Sequence, residues 1–68
     1  AYGHYNLGCA YMKLGKYSKA KYEFLVATDY KNNVADFHYN LAYVYKKLNK
    51  EKQAKTYLEY YNKIINNQ

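Results

Sequence analysis

A chain of 68 residues with net charge +6, whose basic residues are all lysine, has room for one small domain. Cys9 is the only cysteine, so no intrachain disulfide can form and nothing points to an oxidising compartment; a cytoplasmic setting fits. No apolar run reaches the roughly 18 residues of a membrane span, and no charged-then-apolar leader is present.

In chain order, Tyr2, Tyr5, Leu7, Ala10, Tyr11 and Leu14 recur at three- and four-residue steps and predict a first helix with one buried face. Gly15 is suited to the left-handed conformation that closes it. Ser18 is the expected N-cap of a second helix, which carries Tyr17, Ala20, Phe24, Leu25 and Ala27. Asn32 and Asn33 break the chain, with Asn33 the expected next N-cap and Asp36 in the following first turn. A third helix is expected on Phe37, Leu41, Ala42, Val44, Tyr45 and Leu48, and a fourth on Ala54, Tyr57, Leu58, Tyr61, Ile64 and Ile65. The connections are a few residues long, so successive helices must pack antiparallel. No strand pattern appears.

The two halves repeat. Shifting the sequence by 34 residues, half of 68, lays Ala1, His4, Tyr5, Asn6, Leu7, Tyr11, Lys13, Leu14, Lys16, Ala20, Lys21, Asn32 and Asn33 on identical residues, from Ala35 to Asn67. Residues 1–34 and 35–68 therefore form two units of a stacked architecture, each burying its apolar face mainly against a neighbour. Such arrays usually need about three units, so two uncapped ones are expected to be marginal. The chain reads as a piece of a longer array or as a unit stabilised by self-association.

The residues also carry a family likeness. The first unit has His4, Leu7, Gly8 and Tyr11, then Ala20, Phe24 and Ala27; the second has His38, Leu41, Ala42 and Tyr45, then Ala54 and Leu58. This spacing resembles the tetratricopeptide repeat, a 34-residue helical hairpin with small residues where its helices approach closely. The resemblance implies an all-α fold of two stacked antiparallel helix-turn-helix hairpins, an α-solenoid fragment with right-handed superhelical tendency. The chain departs from the pattern at His4 and His38, where a larger residue is usual, at Asn32 and Asn66 for proline, and at Tyr61 for a small alanine.

The family implies a non-catalytic scaffold that binds a peptide or partner helix in a concave groove lined by each repeat's first helix. Carried over by position, the groove residues are Tyr2, Tyr5, Asn6, Cys9, Met12 and Lys13, then Asp36, Tyr39, Asn40, Tyr43, Lys46 and Lys47. Tyr5 with Tyr39 and Asn6 with Asn40 would form two short ladders, and the lysines would steer an acidic partner. Members that clamp a C-terminal carboxylate have lysine and asparagine where this chain has Tyr5 and Cys9, which argues against that subtype.

The alternative function is self-association. Tyr57, Leu58, Tyr61, Ile64 and Ile65 form an apolar stripe on the last helix, and the loop at Asn49, where the first unit has Gly15, could straighten and let hairpins exchange. Nucleic acid is not the expected partner, because the lysines scatter over several helical faces and arginine is absent. His4 and His38 occupy equivalent places on neighbouring helices, too far apart for one zinc, and Cys9 has no acid-base partner in sequence. No catalytic residues, cofactor or metal are expected.

Overall fold

The computed structural model describes residues 2–67 and consists of four helices: α1 (Tyr2–Lys13), α2 (Tyr17–Tyr30), α3 (Ala35–Lys47) and α4 (Glu51–Asn66). Ala1 and Gln68, the outer ends of the two sequence units, lie outside the described residues. Helix α1 packs on α2 and α3 on α4 as two hairpins, and α2 packs on α3 to join them.

The first and third turns are built alike. The amide of Lys16 donates to the Tyr11 carbonyl at 2.9 Å, and that of Lys50 donates to the Tyr45 carbonyl at 2.8 Å. Gly15 at φ 75° and Asn49 at φ 62° supply the left-handed residue that this closure needs. Asparagine is one of the few residues that tolerates the conformation, so the missing glycine does not prevent a tight turn.

These turns correct both expected N-caps. Lys16, not Ser18, caps α2, and Val34, not Asn33, caps α3, in each case without a side-chain cap bond. In the first turn the Lys16 amide is already tied back to Tyr11 while its carbonyl accepts from Ala20 at 3.0 Å. The chain therefore re-enters helix before Ser18. After the Asn32–Asn33 turn, the Val34 carbonyl accepts from Phe37 at 3.1 Å, which starts α3 just past Asn33.

Small residues sit where helices cross. Gly8, Ala20 and Ala27 are buried, and a Cβ on Gly8 would lie 2.7 Å from the Phe24 ring. Phe24, Phe37, Leu41 and Val44 are the largest fully buried side chains. Three of these four come from α3, which lies between α2 and α4. Tyr5 bridges the hairpins, its ring 5.8 Å from that of Phe24 and 4.9 Å from that of Phe37.

Candidate functional site

The residues expected to line a groove divide between a seam and a surface. On α1, Tyr5, Cys9 and Met12 are half-buried and pack against the core between the hairpins. Tyr2, Asn6 and Lys13 are exposed, with Tyr2 edge-on to Phe37 at 5.6 Å. On α3, Asp36, Tyr39, Tyr43, Lys46 and Lys47 are exposed. The partners of the polar and aromatic residues follow the seam. The Asn40 amide donates to the Tyr5 hydroxyl at 3.1 Å and to the Asp36 carbonyl at 2.9 Å. The Tyr39 ring lies against Tyr61 at 5.2 Å.

Burial pushes the Tyr5 hydroxyl above the ordinary phenol range, and the neighbouring Cys9 thiol adds to the effect. Tyr45 and Tyr57 are raised chiefly by burial as well. These three phenols are structural groups, and their shifts report how closely the interior is packed around them.

The free surface of α3 and the adjoining side of α4 enclose a depression of about 330 Å³, lined by Tyr39, Ala42, Tyr43, Lys46, Glu51, Ala54, Lys55 and Leu58. Its walls are the apolar faces of the two tyrosines, Leu58 and two alanines, with Lys46 and Lys55 as positive groups. Lys47 reaches over the Tyr43 ring with its Nζ 5.5 Å from the centroid, which fixes another positive charge beside it. Ala42, Glu51, Ala54 and Lys55 were not expected at a site. Their signal lay in the repeat itself, because they stand 34 residues after Gly8, Tyr17, Ala20 and Lys21.

The apolar stripe of α4 is split by the fold. Tyr57 turns inward and stacks on Tyr45 at 5.4 Å and on His38 at 6.0 Å. Tyr61 and Ile64 are half-buried, while Leu58, Ile65 and the unexpected Tyr60 are exposed. A second hollow, also about 330 Å³, is lined by Asn32, His38, Tyr60, Lys63, Ile64 and Asn67.

Both histidines have structural partners. His4 Nδ1 lies 2.8 Å from a Glu23 carboxylate oxygen. His38 is buried, and its Nε2 donates to the Asn32 carbonyl at 2.7 Å, which anchors α3 to the turn before it. A carbonyl can only accept, so Nε2 is the donor in that bond, and Nδ1 is buried without a hydrogen-bond partner among the described residues. Among the described residues no three histidine, cysteine, aspartate or glutamate side chains group as metal ligands. No helix among them is long and apolar enough to cross a membrane.

Two family models match the sequence. One, described as TPR repeat, covers residues 8–49, and the other, described as tetratricopeptide repeat, covers residues 35–67. A search of curated proteins returns no match. The matched segments overlap across the joint between the hairpins, and the helical pairs, small crossing residues and turns agree with them. Repeats of this kind are in general non-catalytic modules that bind or scaffold other proteins. The chain belongs to the tetratricopeptide repeat family, as two consecutive repeats.

Proposed function

We propose that this chain, with residues 1–34 and 35–68 as its two units, is a non-catalytic binding module whose docking surface is the depression between α3 and α4. Its occupant is a partner helix or peptide with an apolar ridge and acidic residues nearby. The observation that carries this reading is the half-exposed pair Tyr39 and Tyr43, which line an apolar hollow with Leu58, bordered by Lys46 and Lys55 against the one carboxylate of Glu51. Tyrosine gives large contact area for little lost freedom, and such aromatic anchors dominate binding energy at interfaces. The exposed part of the α1 groove, Tyr2, Asn6 and Lys13, extends the surface for a longer ligand. Lysines at the edge act mainly on the rate of encounter, so binding weakens as salt is raised.

The test uses an acidic helical peptide selected from a library and its binding followed by fluorescence anisotropy. Tyr39→Ala is expected to weaken binding about tenfold or more, corresponding to roughly 1.4 kcal/mol or above. Tyr60→Ala, on the other hollow of the same hairpin, is expected to leave binding within about twofold, because its ring does not border the docking surface. Circular dichroism of each variant checks that it remains folded. Loss of binding with Tyr60→Ala but not with Tyr39→Ala would move the site to the hollow beside His38.

A further inference from the structure

We infer that the end of the molecule formed by the α1–α2 and α3–α4 turns binds the phosphate backbone of single-stranded nucleic acid. This surface is separate from the α3–α4 depression and shares only Lys46 and Lys55 with its lining. Around the helices the lysines scatter over several faces, but along them they do not. Lys13, Lys16, Lys19 and Lys21 lie within five residues of the first turn. Lys46, Lys47, Lys50, Lys52 and Lys55 lie within five residues of the third. Antiparallel packing brings these two turns to one end, where Gly15, Lys16, Tyr17, Ser18, Lys19 and Leu48 together line a hollow of about 410 Å³. Glu51 is the one carboxylate there, so nine lysines less one glutamate leave +8. The two remaining lysines with four carboxylates leave −2 elsewhere, which together make the +6 of the chain.

Helix electrostatics do not account for this placement. A helix dipole favours cations in its last turn, which explains Lys13, Lys46 and Lys47. Lys16 and Lys50 are instead the caps before α2 and α4, and Lys19 and Lys52 stand in the first turns of those helices. There the same dipole opposes a positive charge. Residues set against their own local structure are characteristic of functional surfaces.

A neighbouring repeat on either side leaves this end open. Lys13 and Lys47 share one position of the 34-residue frame, and Lys16 and Lys50 share another. Lys13 and Lys16 are exposed with a repeat after them, and Lys47 and Lys50 are exposed with a repeat before them.

The chemistry of the face selects its occupant. Lysine without arginine supplies charge but not the bidentate contact that reads bases, which suits a sequence-independent grip on phosphates. Lys21 and Lys55 are the fifth residues of their helices, about 6 Å behind the helix starts at roughly 1.5 Å per residue. A flexible strand can bend round the rim to reach them, whereas a flat bilayer meets the turns alone. Tyr22, 62% exposed, follows Lys21 directly and stands one helical turn from Lys19. Its ring is a platform on which a base can stack, and an acidic peptide has no base to place there.

The test is the fluorescence anisotropy of a labelled oligothymidylate titrated with the 68-residue chain. With about five phosphates neutralised, affinity is expected to fall roughly a hundredfold between about 50 and 200 mM salt. Lys16→Gln with Lys50→Gln is expected to weaken binding about tenfold or more and to flatten that salt dependence. Lys31→Gln with Lys63→Gln removes the same charge away from this end and is expected to stay within about twofold. Tyr22→Ala is expected to weaken binding about fivefold or more. All five side chains are exposed, so the fold is expected to survive each change, as circular dichroism would check. No binding at low salt, equal weakening by the two lysine pairs, or indifference to Tyr22→Ala would overturn the inference. Tighter binding to phosphatidylserine vesicles or to polyglutamate than to the oligonucleotide would overturn it too, and would make the face a membrane or acidic-protein surface.

Discussion

Phe37→Ala is expected to lower the midpoint of thermal unfolding by at least about 12 °C. Phe37 is fully buried, and its ring touches Tyr2 and Tyr5 from the other hairpin. Truncating a buried phenylalanine costs about 3–5 kcal/mol, through lost transfer energy and the cavity left behind. A chain this size has only about 3–10 kcal/mol in total, at 0.05–0.15 kcal/mol per residue. Each kcal/mol is worth about 4–8 °C in a domain of 60–100 residues. The effect is that large because α3 is packed between α2 and α4, so a loss there loosens both hairpins together. Tyr22→Ala, at an exposed position on α2, is the control and should shift the midpoint by less than about 4 °C. A drop for Phe37→Ala no larger than that of the control would mean that the two hairpins do not share a core.

The second large effect belongs to Gly8. An added Cβ would meet two carbons of the Phe24 ring at 2.7 and 2.8 Å, closer than real contacts allow, and that ring is fully buried. Overpacking of this kind costs about 1–3 kcal/mol, while replacing a helical glycine by alanine returns up to about 1 kcal/mol. Gly8→Ala is therefore expected to destabilise by about 1–2 kcal/mol, against the sign that helix propensity alone would give. The second hairpin indicates the remedy. Its equivalents are Ala42 and Leu58, which line one depression together, so a larger residue on one helix goes with a smaller ring-free one opposite. Gly8→Ala combined with Phe24→Leu should recover stability relative to the sum of the single changes, with a coupling of about 1 kcal/mol or more in urea unfolding. Strict additivity would show that the two side chains do not meet.

Much of the fold was legible because the repeat states it twice. The 34-residue identities, the small residues Gly8, Ala20 and Ala27, and the turn at Gly15 each have a single physical meaning, and each is found in place. Helix starts were less legible. Ser18 and Asn33 are good caps by chemistry, but the tight turn before α2 and the extended Val34 fix where the chain re-enters helix, and neither depends on the cap side chain.

The site was half legible for a related reason. A position in the repeat says that Tyr5 and Tyr39 occupy equivalent places, but not whether a neighbour covers them. Tyr5 is half-buried because α3 follows it, and Tyr39 is exposed because no helix among the described residues follows α4. The inward turn of Tyr57 and the exposure of Tyr60 were hidden by tyrosine itself, whose ring suits a core and whose hydroxyl suits water. A wide tyrosine-rich stripe therefore does not reveal which of its edges faces in.

The most direct test of the central claim, that the α3–α4 depression receives another helix, is a titration followed by backbone amide chemical shifts. The ligand is the acidic helical peptide, added at a chain concentration low enough to keep it monomeric. The account predicts shifts concentrated at Tyr39, Tyr43, Ala54 and Leu58, with Tyr60, Lys63 and Asn67 unmoved. Shifts centred on those last three, or spread evenly over the lysines, would contradict it.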